Sequence, residues 1–360
     1  MRLLVTGICG FVGSALTRSL LEMFVGLEVV GIDNLIRPGS ELNRRALEKI
    51  GCRVFHGDVR LRSDLEQLPI VDWVIDAAAN PSVSAGVDGS TSSRQVVEHN
   101  LLGTINILEY CRHSSAGLVL LSTSRVYSIP ALGSLPLVRT ENRFALQATD
   151  ILPVGISRRG ISEGFSTTAP ISLYGATKLS SEVLALEYGR TFKFPVWIDR
   201  CGVLAGPGQF GIAKQGIFSF WVHAWQSNLP LSYIGFDGHG LQVRDALHPS
   251  DLATLVAAQL GDSDPQKTDR IWNVGGGLPN AMSLAELSIW CSDRFAPRVV
   301  NQNLEPRPFD LPWIVMDGAL AQSRWGWQPA MRLEQILSEI ADHAEQNPEW
   351  LKLCGVRRSL

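Results

Sequence analysis

The chain has 360 residues, 45% of them hydrophobic and 19% charged, with a formal net charge of -3. That length and composition bury a large core, and they exclude both a disordered chain and the basic field on which nucleic-acid binding depends. The six cysteines, at 9, 52, 111, 201, 291 and 354, are far apart and show no paired spacing, so no metal site is expected and a reducing cytoplasm fits.

The apolar start Leu3-Leu4-Val5 is broken by Thr6-Gly7 before a secretory core completes, and no apolar stretch approaches the ~18 residues of a membrane span. Short β-rich runs follow at Leu3 to Val5, Leu27 to Ile32, Cys52 to Phe55, Trp73 to Asp76 and Leu118 to Leu121. They alternate with helical patterns at Phe11 to Met23, Asn43 to Ile50, Leu61 to Leu68 and Ser93 to Cys111, where apolar residues recur at three- and four-residue steps. The segment 128–171 is long, rich in Gly and Pro and without clear period, which reads as a functional insertion. A helix from Tyr174 to Arg190 and a strand from Val196 to Ile198 come next. Beyond Pro207 the helical stretches Phe218 to Trp225, Ser250 to Leu260, Leu284 to Arg294 and Leu333 to Glu345 are separated by Gly- and Pro-containing loops. The pattern predicts an α/β fold: a Rossmann-like, doubly wound parallel sheet over 1–206 and a smaller α/β substrate lobe mainly over 207–360, with the chain free to cross between them.

Gly7-Ile8-Cys9-Gly10-Phe11-Val12-Gly13 follows the first strand and opens the first helix. In that setting a glycine-rich turn lets backbone N–H groups approach a pyrophosphate at a helix N-terminus, and it predicts dinucleotide binding. Asp33, at the end of the second strand, can accept hydrogen bonds from an adenosine ribose and repel a 2′-phosphate, which favours NAD over NADP. Arg37 is read equally as a partner for such a phosphate or as a solvated loop charge. Asp58-Val59 is placed for the adenine, and Ala77-Ala78-Ala79 supplies small side chains where a cofactor passes closely.

Tyr174 and Lys178 lie four residues apart at a helix start and so on one face. An ammonium beside a phenol favours phenolate, which can take a proton from a sugar hydroxyl. Ser122-Thr123-Ser124 leaves the fifth strand at the sheet edge where open α/β proteins bind ligands, and Thr123 is placed to hydrogen bond the same oxygen.

In these motifs the chain resembles the extended short-chain dehydrogenase/reductase family of nucleotide-sugar enzymes over nearly its whole length. Within that family it is similar to the CDP-sugar 2-epimerases in 33–40 with Asn43, in Ser122-Thr123-Ser124-Arg125-Val126-Tyr127, in 206–211 with Gln215-Gly216, and in 240–251. The resemblance implies Thr123, Tyr174 and Lys178 as the catalytic set and NAD as cofactor, with Asn34, Asn100, Ser122, Tyr174 and Lys178 added to the cofactor contacts and Asn100 orienting a buried helix. It implies a nucleotide-sugar substrate, a CDP-sugar favoured, contacted by Arg125, Val203, Gln209, Gln215, Gln242, Arg244 and Arg307, with Arg244 and Arg307 on the diphosphate and ribose. A homodimer or homotetramer is implied as well.

Departures from the family pattern bear on the reaction. Dehydratases of the family follow the active-site Thr with an Asp-Glu pair, and decarboxylases keep a Glu; here Ser124 and Arg125 stand there, and neither serves as a carboxylate acid or base. Many 4-epimerases carry Asn three residues after an Arg, where this chain has Val203 after Arg200. The expected reaction is therefore epimerisation through a transient keto-sugar with hydride return, the alternatives being a 4-epimerase or an NAD-dependent dehydrogenase of the same family. A non-catalytic NAD-binding scaffold is the rival from another class, opposed by the joint presence of Thr123, Tyr174 and Lys178.

Overall fold

The structure is a computed structural model and describes residues 1–87, 89, 91–149, 151–262 and 270–356. Seven apolar runs form one parallel sheet: β1 (Arg2–Thr6), β2 (Glu28–Asp33), β3 (Arg53–His56), β4 (Trp73–Asp76), β5 (Gly117–Thr123), β6 (Val196–Cys201) and β7 (Ile271–Val274). Their order is β7-β6-β5-β4-β1-β2-β3, so the winding reverses between β1 and β4 and opens a crevice at their carboxyl ends.

Side chains alternate across each strand, so the sheet carries two cores. Leu3 and Val5 of β1 face α1 (Phe11–Met23), together with Leu252, Leu255 and Val256. Leu4 faces the other way, in a cluster with Ile107 and Leu108 of α2 (Gly103–Ser114) and Ala185 of α3 (Ser172–Phe192). Every residue of β5 is buried, which explains its unbroken apolar run.

Residues after 207 do not stay in one lobe. Helix α4 (Pro249–Leu260) packs on α1 and β7 extends the main sheet. The second lobe is a small sheet of Val203–Leu204, Val243–Leu247, Ala281–Ser283 and Trp313–Ile314, with helices Ile217–Gln226 and Leu333–Gln346 packed through Phe218, Val222, Ile336 and Ile340. The 128–171 segment is not one loop. It holds a short helix, Ile129–Gly133, and two small hairpins, and Tyr127, Ile161 and Phe165 pack with Trp313 and Met316. Strands of two or three residues are too short to leave a period in the sequence.

Asp199 on β6 is fully buried, and burial pushes its carboxyl up to about 7 against a single hydrogen bond from Gln259 Nε2 at 2.7 Å. Asp199 Oδ2 and Gln259 Oε1 both lack partners, the pattern of an acid held neutral. A carboxyl whose folded value exceeds its unfolded one gives stability that is complete below pH ~4 and lost as pH rises through about 7. Asp199→Asn is thus expected to be more stable than wild type at pH 8, by roughly 2–4 kcal/mol, and to match it near pH 4. Urea unfolding at the two pH values checks this, and equal stability at pH 8 counts against it.

Candidate functional site

The glycine-rich turn is closed by Gly7 N–H donating to Ile32 O at 2.9 Å and by Gly10 N–H donating to Gly7 O at 2.9 Å. Gly7 has φ +62°, in the left-handed region, and a Cβ at Gly13 would sit 2.3 Å from Gly7 O. The first turn of α1 therefore lies directly on the strand end, an arrangement only glycine permits. Gly13→Ala is expected to cost about 1–3 kcal/mol and to weaken NAD retention; calorimetric unfolding and the cofactor content of the purified protein measure both.

The turn lines a cavity of about 1000 Å³ running to the second lobe. Gly7, Gly10, Phe11, Val12, Gly13, Asp33, Asn34, Arg37, Asp58, Val59, Ala77, Ala78, Ala79, Ser122, Thr123, Tyr174 and Lys178 all line it. Asp33 accepts from Cys9 N at 2.9 Å and from Leu35 N at 2.8 Å, which aims its carboxylate and leaves lone pairs for a ligand. Asp58 is engaged by Arg60 at 2.7 Å and Asn34 at 3.0 Å. Arg37 is not the solvated loop charge of one of its readings. It spans to the second lobe, donating to Gln215 Oε1 at 3.1 Å and to the Phe210 carbonyl.

Two expectations need correction. Asn100 does not line the cavity. It is buried in a π-helical turn, Glu98–Leu102, inside the stretch expected as one continuous helix, and its amide accepts from Asn80 N at 2.8 Å and donates to Thr177 Oγ1 at 3.2 Å. The wider turn brings this side chain inward to tie the loop after β4 to α3, as the helix-orienting reading expected, and both amide hydrogens are committed to Asn80 O and Thr177 Oγ1. The second correction concerns the phenol. Burial pushes Tyr174 up to about 12, and the groups that pull it down are the Thr123 side chain, by a hydrogen bond, and Arg125, by its charge. Lys178 is itself desolvated and lowered, and its field falls on Asp76 and Glu182. Asp76, the buried last residue of β4, also accepts from Thr6 Oγ1 at 2.7 Å. An acidic strand-terminal residue was the sequence signal for this missed partner.

Thr123 ends β5 opposite Cys201, and its Oγ1 accepts from Arg125 N at 3.2 Å. A Cβ at Gly175 would lie 2.3 Å from Arg125 O, so glycine lets the start of α3 rest on this backbone and brings Tyr174 beside Thr123. Ser122 donates to Glu182, which is paired with Arg200 at 2.7 Å, so its hydroxyl is committed to protein.

The expected substrate residues Arg125, Val203, Gln209, Gln215, Gln242, Arg244 and Arg307 also line the cavity. Arg244 pairs with Asp310 at 3.3 Å, and Gln242 Nε2 donates to the same carboxylate at 3.2 Å. Arg125 donates to the Phe309 carbonyl at 3.0 Å. Phe309 and Asp310 had no sequence reading, although they follow Arg307 within three residues.

Residues 3–275 match the NAD dependent epimerase/dehydratase family. The chain belongs to that family. Among its relatives, CDP-paratose 2-epimerase of Salmonella typhi is 26% identical over 357 residues, covering 95% of this chain and 98% of the relative. UDP-glucuronate 4-epimerase of Thermodesulfobacterium geofontis is 24% identical, covering 97% and 98%. Thermus thermophilus UDP-glucose 4-epimerase, solved with NAD, superimposes with a TM-score of 0.73 at 26% identity, covering 96% and 99%. This NAD-dependent family frame fits the observed cradle: a Cβ-free turn under a helix start, an aimed carboxylate at the end of β2, and small residues after β4.

Proposed function

We propose that the protein is a nucleotide-sugar epimerase that oxidises one ring carbon transiently to a ketone and returns hydride to the other face, acting on a CDP-sugar as its CDP-paratose 2-epimerase relative does by name. The observation that carries this is the convergence of Thr123, Tyr174 and Lys178 at one end of a cavity that also holds the glycine-rich turn and an arginine cluster.

In this reading Gly7, Gly10, Gly13 and Asp33 hold NAD, which supplies a hydride acceptor and later donor. Thr123 orients the reacting hydroxyl towards Tyr174. The phenol oxygen takes the hydroxyl proton as the ketone forms and gives it back when the alcohol re-forms. Lys178, buried beside Asp76, would hold the cofactor ribose by a hydrogen bond. Asp33, Asp58 and Asp310 are the Asp and Glu residues on the cavity wall among the described residues. The first two belong to the dinucleotide end and the third is paired with Arg244, which disfavours dehydration through a carboxylate acid and base.

No helix among the described residues is long and apolar enough to cross a membrane, and the six cysteines are free and buried, which supports a cytoplasmic site of action. Assembly as a homodimer or homotetramer belongs to the same proposal, and light scattering reads it. The deciding experiment offers the purified protein CDP-, UDP-, GDP- and dTDP-sugars without added cofactor and follows products by NMR. Epimerised sugar with no accumulating NADH is expected; steady NADH release would mark a dehydrogenase instead.

A further inference from the structure

Arg125 joins two parts of the cavity that are otherwise separate. At its backbone, N–H donates to Thr123 Oγ1 at 3.2 Å and the carbonyl supports Gly175, the residue after Tyr174. At its tip, Nη1 donates at 3.0 Å to the carbonyl of Phe309, whose neighbour Asp310 holds Arg244. The backbone of Arg125 thus sits at the proton-transfer end and its guanidinium at the cation cluster, in the same cavity as Tyr174 and near enough for its charge to act on the phenol.

The charges there do not balance. Arg125, Arg244 and Arg307 face a single carboxylate, Asp310, and that carboxylate is within ion-pair distance of Arg244. Among the described residues no carboxylate lies within ion-pair distance of Arg125, although its guanidinium is desolvated and lowered by burial and by Arg244. A cation kept out of water without a paired counter-charge is costly unless a ligand supplies the anion, and the remaining forked donors of a guanidinium match phosphate oxygens.

Resting on the epimerase reading above, we propose that Arg125 sets which ring carbon reacts: it grips the β-phosphoryl oxygens of the bound sugar nucleotide close to Thr123 and Tyr174, so that C2 meets the phenol. The chemistry follows from connectivity. The β-phosphate is bonded through oxygen to C1, C2 is the adjacent carbon, and C4 lies across the ring. A phosphate anchored next to the phenol brings the C2 hydroxyl to it, whereas C4 would require the phosphate to sit farther along, on Arg244 and Arg307 alone. The other anion that Arg125 could meet is a carboxylate on the sugar, which would draw C5 and its neighbour C4 to the phenol.

Two measurements on the holoprotein test the assignment. In the first, CDP-paratose carrying deuterium at C2 or at C4 is turned over, or, if that sugar is inert, whichever sugar the panel shows to be epimerised. A primary isotope effect from the C2 label alone is expected, and an effect from the C4 label overturns the proposal while leaving the epimerase reading intact. If no nucleotide sugar is epimerised, the epimerase reading fails and the assignment falls with it. In the second, calorimetry compares binding of CMP and CDP. The affinity gained from the β-phosphate should shrink about tenfold or more in Arg125→Gln, and Arg125→Lys should recover part of it. An undiminished gain in folded Arg125→Gln, or tighter binding of a CDP-uronate than of the neutral CDP-sugar, overturns the proposal. Should Arg125→Gln fail to fold, the same comparison in Arg125→Lys decides: it should show a smaller gain than wild type.

Discussion

Tyr174→Phe is expected to lower turnover by about 10²- to 10⁴-fold while leaving both the folded state and bound NAD in place. The ring is 7% exposed at the base of the cavity, and phenylalanine fills the same volume, so the packing loss is small. What disappears is the oxygen proposed to receive the hydroxyl proton, together with its interaction with the Thr123 side chain. Because the proposed reactive form is the phenolate, and burial pushes the group up to about 12, the wild-type rate should rise with pH over the neutral range, whereas the residual rate of the variant should not. Thermal melting, cofactor absorbance and an NMR rate measured on one preparation separate the possibilities. Full activity in a well-folded Tyr174→Phe protein would remove the phenol from the mechanism and return the non-catalytic scaffold as the better reading.

How far the sequence revealed this site depended on the range of the contacts involved. The turn at Gly7 to Gly13 was legible because local geometry dictates it: a strand end, a positive φ and a helix start leave only glycine. Tyr174 and Lys178 were legible because helix periodicity places them on one face. The electrostatic role assigned to Lys178 was not, since it depended on burial and on Asp76, about a hundred residues earlier, which helical spacing says nothing about. The long-range contact of Arg37 with Phe210 and Gln215 was hidden for the same reason; a crossing between lobes was allowed for, but not which segments make it, Pro249–Leu260 packing on α1 and Ile271–Val274 joining the first sheet. Asn100 was expected to orient a buried helix, but only the structure shows the π-helical turn that commits both of its amide hydrogens to Asn80 and Thr177.

The largest stability effect is expected at Glu182→Gln. Glu182 and Arg200 have side chains 1% and 5% exposed, and the guanidinium meets the carboxylate through Nε at 3.1 Å and Nη2 at 2.7 Å. Replacing the carboxylate with an amide of the same shape leaves Arg200 charged in a dry interior, and removing one partner of such a pair costs about 3–5 kcal/mol. Arg200 also reaches the Tyr127 hydroxyl at 3.4 Å, and that hydroxyl donates to Asn273 Oδ1 at 2.6 Å, so the disturbance spreads into the 128–171 insertion. The pair matters to the site because of its position. Glu182 lies one helical turn beyond Lys178 on α3, and Arg200 is in register with Ser122, the residue before Thr123. The ion pair therefore fixes the helix that carries Tyr174 and Lys178 against the strand that carries Thr123. Guanidinium unfolding at pH 7 should show the loss, and the folded fraction of the variant should also turn over more slowly. Replacing both partners with apolar residues, as in Glu182→Leu with Arg200→Met, should restore much of the stability without restoring the rate, because a packed apolar pair removes the unpaired charge but not the need to hold α3 in register. A loss below about 1 kcal/mol in Glu182→Gln would mean that water or a neighbouring group reaches Arg200, and that the pair does not anchor the site.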